Sequence, residues 1–248
     1  MGTCVHLVMN GCREVRFQDG TPVPKQVETV YLGCTLSVKA QAETEVRDRI
    51  SVCSAIWKRM GAFFKGSNCS KKFKIRVYDA VVRSKLAYGL ESLQINECLK
   101  ARIDAFHLKG LRQILKLEPT FRNREMTNEH VMAEVNKLFA EEGQDRQMPT
   151  VISMGEYISD QSIKLLGHLI RESDEEPTRQ VTLKPVSCKP QLPRKKRVGR
   201  PRNHWTVKTA EKAWDKVKSI YNKQHSLYNV RSSRQDSILY LAALLREF

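Results

Sequence analysis

Between residues 46 and 64 the apolar side chains Val46, Ile50, Cys53, Trp57, Met60 and Phe64 recur at alternating spacings of four and three. At about 100° per residue they fall on one stripe less than about 90° wide. A half-buried strand would alternate every second residue, so this segment is expected to form an amphipathic helix burying one narrow face. Gly66-Ser67-Asn68 ends it. Ser70 is placed to cap a second helix. That helix carries Phe73, Val77 and Ala80 on one face and Ile75, Tyr78 and Val82 on the other, a pattern that predicts a sandwiched helix. A third helix, over 97–117, presents Leu99, Ile103, Phe106 and Ile114 and stops before Pro119.

The flanks read differently. In residues 4–37, VHLVM alternates, Asn10-Gly11 and Asp19-Gly20 offer tight turns, and VETVYLGCTLS follows Pro22 and Pro24 as a further strand. So small a sheet is marginal unless one face is covered, and Val5, Leu7, Val30 or Leu32 is expected to stay partly uncovered. After the bundle, helices are expected at 127–142 (Val131, Val135, Leu138) and 151–171 (Ile163, Leu166, Ile170). Proline and charge mark 172–203 as a linker rather than packed structure. Helices over 204–221 and 233–248 close the chain, with Trp205 the first core residue of the former. The expected fold is mainly α, with an N-terminal antiparallel β unit of two or three strands at 1–40. A three-helix bundle at 41–118 follows, then further helices at 119–171, the linker, and C-terminal helices at 204–248.

Charge narrows the partners. The chain has 43 Lys+Arg against 27 Asp+Glu, a formal net charge of +16, which favours polyanions through phosphate neutralisation and counterion release. Nucleic acid is the leading partner and an acidic membrane surface the weaker one. Seven cysteines, an odd number with no Cys-x-x-Cys, are not a disulfide framework and fit a reducing compartment. No apolar run reaches the roughly 18 residues needed to span a bilayer. MGTCVHLVMNG lacks the parts of a signal peptide, and His6 stands where myristoylation requires Ser or Thr. His6 with Cys12, or His204 with His225, lack zinc-site spacing, and no nucleophile motif occurs. No catalytic or metal-ligating residue is therefore assigned, and the expected location is nuclear in preference to cytoplasmic.

The basic residues carry the functional expectation. On the first helix Arg47, Ser51, Ser54, Lys58 and Lys65 form a stripe beside the apolar one; on the second, Lys72, Arg76 and Arg83 form another. They read either as a ladder contacting duplex phosphates or as an ordinary solvated face. Cys53 reads as a small core residue, and His107 as a helix-edge residue rather than a base. In RKKRVGRPR, residues Arg194, Lys195, Lys196, Arg197, Arg200 and Arg202 admit several readings: nuclear import signal, backbone contact, minor-groove hook or solvated linker. Val198 removes one of the two guanidiniums that such a hook inserts.

An ordered set of strings carries a family resemblance: YLGCTLS, then EVRDRISVCSAIWKRMGAFFK, KFKIRVYDAVVRSKLAYGLES and a helix ending LKGLRQILKL, then KLLGHLIRESDEEPTRQV, then RVGRPRNHW. Over most of residues 27–214 they resemble the C-terminal region of non-LTR (LINE-type) retrotransposon reverse transcriptases. The resemblance implies that Tyr31, Leu32 and Gly33 are primer-grip-like and that 41–118 is a thumb-like bundle with a Leu-Ala-Tyr-Gly turn, residues 86–89, after its second helix. It also implies a basic tail. RNA or DNA, and the upstream palm of the same polyprotein, are the implied partners. Such polymerases work with metal ions held by paired aspartates. No Asp-Asp pair occurs in this sequence, so Mg2+ is expected only with that palm, and the chain is expected to be inactive alone. The alternatives are a nuclear helical scaffold with a basic import or DNA-contacting linker, and a remnant without selected activity.

Overall fold

The computed structural model describes residues 6–7, 15–37, 41–140, 152–185, 189–191 and 204–224, which form a mainly α-helical protein with short N-terminal strands. The chain divides into two compact units, Met1–Gly155 and Glu156–Phe248, a coarser partition than the five pieces expected from composition.

In the first unit, β1 (His6–Leu7) pairs in parallel with β2 (Lys25–Gln26), whereas the alternation suggested antiparallel pairing. Asp19-Gly20 does turn the chain: Phe17 N donates to Thr21 O at 2.9 Å. Asp19 accepts from the Thr21 hydroxyl at 2.6 Å and amide at 2.9 Å, which holds its carboxyl below the ordinary range. Asn10-Gly11 and Val5 lie outside the described residues, as does the side chain of Leu7.

VETVYLGCTLS is a hairpin and not one strand. β3 (Glu28–Tyr31) pairs antiparallel with β4 (Cys34–Ser37), Tyr31 opposite Cys34, leaving Leu32-Gly33 as the two-residue turn. Leu32 has φ +47° and Gly33 φ +77°, the mirror-image turn whose twist suits the flanking strands. Leucine at its first position conceals a turn that Asn-Gly would announce. The expected exposure is found: Val30 is 71% and Leu32 74% exposed, and Tyr31 also faces solvent.

α1 (Gln41–Arg59) and α2 (Gly61–Gly66) follow one another across Met60. The sequence stripe faces inward: Val46, Cys53 and Phe64 are buried, and Trp57 stacks on Phe64 with centroids 4.6 Å apart. Burial pushes the Cys53 thiol up to about 11, consistent with an inert core residue. α3 (Lys71–Tyr78) starts at Ser70, whose hydroxyl accepts from Phe73 N at 3.2 Å. It continues through a π-helical turn, Asp79–Arg83, into α4 (Ser84–Ala87). Ile75, Tyr78, Val82 and Leu86 are buried whereas Phe73 and Ala80 are exposed, so this helix is not sandwiched. Its inner face packs on α5 (Glu97–Leu115), leaving the Phe73 face toward solvent.

α5 begins at Asn96, which caps Leu99 N at 2.8 Å, and buries Leu99, Ile103, Leu111 and Ile114. His107, expected at the helix edge, is only 1% exposed. Its Nδ1 lies 3.1 Å from Tyr78 Oη, between α3 and α5. Burial, with Arg83 nearby, lowers its pKa to about 3, so the ring is neutral. A Cβ at Gly110 would come within 2.9 Å of the Tyr78 ring, so the glycine makes room for that aromatic. α6 (Asn128–Ala140) packs on α5, burying Val131 and Val135.

The second unit holds most of α7 (Met154–Arg171), with α8 (Pro177–Thr182) and α9 (Trp205–Gln224). Leu166, Ile170 and Leu183 form its small core, and Trp205 packs against it, as expected of a first core residue. The expected open linker is therefore corrected over 177–185 and 189–191. Leu183 is buried and bridges to Pro190. Arg179 donates to the Leu169 and Ile170 carbonyls at 3.1 and 2.9 Å and to Asp174 at 2.7 Å. Those carbonyls end α7 with no next turn to bond, and a buried guanidinium satisfies them. Residues 192–203 and the expected helix at 233–248 lie outside the described residues.

Candidate nucleic-acid interface

Residues four apart on a helix lie one above the other, so Ser54 and Lys58 share a side of α1, and Lys65 follows two turns later on α2. On α5, Phe106, Gly110 and Gln113 share a face by the same rule, with Lys109 beside them. Packing α1 and α2 on α5 brings these together around a groove of about 300 Å³. Trp57, Tyr78 and Phe106 wall it, Ser54 and Gln113 line it, and Lys58, Lys65 and Lys109 surround it. Among the described residues no carboxylate lines this groove, so its rim of three lysines biases it toward anions. Gln113 Oε1 is buried without a hydrogen-bond partner among the described residues.

The other basic positions disperse. Arg47 is exposed and lies 3.3 Å from its neighbour Asp48. Lys72 Nζ sits 5.3 Å over the Phe139 ring, and Arg76 is exposed on α3. Arg83 turns inward, 3.5 Å from Asp79, with only 15% of its side chain exposed. Burial raises the Asp79 carboxyl, and Arg83 opposes that rise. The two-helix ladder thus resolves into a cluster of Ser54, Lys58 and Lys65, and a set that the fold uses elsewhere. Arg194, Lys195, Lys196, Arg197, Arg200 and Arg202 lie outside the described residues.

Of Tyr31, Leu32 and Gly33, the last two are latched to the bundle by their carbonyls, while Tyr31 is exposed on the strand. Tyr88 Oη donates to Leu32 O at 3.0 Å and Arg49 Nη2 to Gly33 O at 2.7 Å. Arg49 is buried, donates to Glu45 at 2.7 Å, and stands 4.9 Å over the Tyr88 ring. The second Glu45 oxygen accepts from Thr35 N at 2.6 Å, in β4. A Cβ at Gly89, where φ is +79°, would meet Cys34 Sγ at 2.5 Å, so the Leu-Ala-Tyr-Gly turn must end in glycine to seat the hairpin. The Tyr-Leu-Gly and Leu-Ala-Tyr-Gly strings therefore fold against each other.

Sequence reasoning passed over Glu45, Arg49, Lys109 and Gln113. The first two did leave a signal, an opposite-charge pair four apart on the flank of the α1 stripe away from the basic side. Lys109 and Gln113 left none, because what matters is which face of α5 meets α1.

Two-metal chemistry finds no donor set here: among the described residues no group of three or more His, Cys, Asp or Glu side chains could hold a metal ion. Among the described residues, no helix is long and apolar enough to cross a membrane. No family model matches the chain, and no curated protein and no solved structure does so either.

Proposed function

We propose that the chain binds nucleic-acid backbones through the groove of Ser54, Lys58, Lys65 and Lys109. In this reading it is the primer-grip, thumb and basic-tail region of a non-LTR retrotransposon reverse transcriptase, an RNA-directed DNA polymerase. It contacts a template–primer duplex and depends on a palm with paired aspartates for any nucleotide transfer. The gathering of three lysines around one groove with no carboxylate among its lining residues carries the proposal. Ammonium groups so placed neutralise phosphates and release their counterions without reading base sequence. RNA and DNA are the partners, the nucleus is the favoured location, and the basic residues from Arg194 to Arg202 add backbone contacts. Titrating the purified chain with an RNA–DNA duplex across a salt series tests this. Affinity should fall with a log–log slope of roughly −0.9 per phosphate neutralised. Absence of binding at low salt ends the reading.

The exposed Val27, Val30, Tyr31 and Leu32 favour a second reading, a nuclear scaffold whose apolar hairpin contacts protein. It prevails if Arg47→Ala, Lys58→Ala and Arg76→Ala together leave duplex affinity unchanged while deletion of 194–202 abolishes nuclear entry.

A further inference from the structure

Phosphate contact alone does not account for what lies beneath the lysines. A surface that merely tracks a backbone needs cations over a polar floor, whereas this groove is walled by Trp57, Tyr78 and Phe106 and is mostly apolar inside. Its volume of about 300 Å³ lies at the lower end of the range for small-ligand pockets. Gln113 brings a buried carboxamide oxygen without a partner among the described residues. That oxygen is closed off from solvent, so a ligand N–H reaches it only once the carboxamide turns toward the groove, a turn that its unmatched burial favours. A ligand matching all three features has a flat unsaturated ring, an N–H donor on its edge and an attached anion. A nucleotide has that chemistry.

We infer that the groove takes one unstacked base of a single-stranded segment, seated against Trp57 and Phe106. Its edge donates to Gln113 Oε1, and its flanking phosphates lie on Lys58, Lys65 and Lys109. The inference rests on the backbone-binding reading and deepens it: the chain holds the junction where a duplex gives way to a single strand. An acidic peptide with an aromatic residue shares the anion and the ring but not the sugar-phosphate repeat, and it serves as the competitor in the test.

The test uses the full chain and three RNA–DNA duplexes: blunt, with a four-nucleotide overhang carrying bases, and with the same overhang abasic. The last two present equal phosphates and differ only in rings. The base-bearing overhang should bind about tenfold tighter than the abasic one, at the same salt slope. Gln113→Leu should remove part of that preference and Phe106→Ala most of it, each read as the ratio of base-bearing to abasic affinity within the same variant. Equal affinity for the two overhangs overturns the inference and leaves backbone binding standing. Failure of all three duplexes to bind at low salt sinks the backbone reading and this one together. A glutamate-rich peptide with one phenylalanine that displaces the base-bearing overhang at equal concentration overturns the nucleotide assignment.

Discussion

Leu32 holds φ +47° with its side chain in water, so it bears the cost of a left-handed backbone without a burial gain. That cost is about 1–2 kcal/mol for an L-residue other than glycine or asparagine. The Tyr88 and Arg49 hydrogen bonds at its own and the next carbonyl hold it there. Leu32→Asn should therefore stabilise the protein by about 1 kcal/mol, seen as a higher urea midpoint at unchanged slope. His107 predicts a pH effect. Its pKa is near 6.5 in an unfolded chain and about 3 in the fold. Above 6.5 both states are neutral and the group is silent. Between 6.5 and 3 the unfolded chain binds a proton that the fold refuses, so stability falls by up to about 1.4 kcal/mol per pH unit. Asp79, with its raised carboxyl, acts in the opposite sense and remains in a His107→Gln variant. Urea unfolding at pH 7, 6, 5 and 4 should show a steeper acid loss for wild type than for His107→Gln. Equal slopes would mean that Arg83 and Tyr78 tolerate the imidazolium.

Elements were legible where burial imposes a period. The stripe from Val46 to Phe64 declared α1 and α2, and Ser70 declared the start of α3. The hairpin was not legible, because Leu32 breaks the turn code and is held by Tyr88 and Arg49, both distant in sequence. Residues 177–185 and 189–191 were hidden for another reason: composition averages over proline and charge, while packing there turns on single residues such as Arg179 and Leu183. The latch between β4 and α1 yields a prediction of its own. Arg49→Met leaves the Glu45 carboxylate buried without its counter-ion, which should cost about 3–5 kcal/mol. Adding Glu45→Gln should recover part of that loss, because an amide can still accept from Thr35 N. Hydrogen exchange at the Thr35 amide is the readout: fast in the single variant and slower again in the double. For α7, Arg179→Met leaves the Leu169 and Ile170 carbonyls unsatisfied and should destabilise the chain by roughly 2 kcal/mol.

At the scale of the whole molecule, charge and site are separable claims. A formal charge of +16 draws any polyanion, and composition alone revealed that much. Of the candidate site, Ser54, Lys58 and Lys65 were legible because a helical wheel sets them beside the apolar stripe. Lys109 was not, since its place depends on how α5 is turned against α1. A matched pair of triple variants separates the groove from bulk charge. Lys58→Gln, Lys65→Gln and Lys109→Gln remove three charges at the groove. Lys71→Gln, Lys137→Gln and Lys184→Gln remove three from exposed positions that do not line it. Long-range attraction falls equally in both, whereas counterion release falls only where a lysine touches a phosphate. The groove triple should therefore shallow the log–log salt slope for an RNA–DNA duplex by about 2.7, at roughly 0.9 per contact, and the control should leave it unchanged. Equal slopes in the two triples would make the binding a property of net charge and strip the groove of its role.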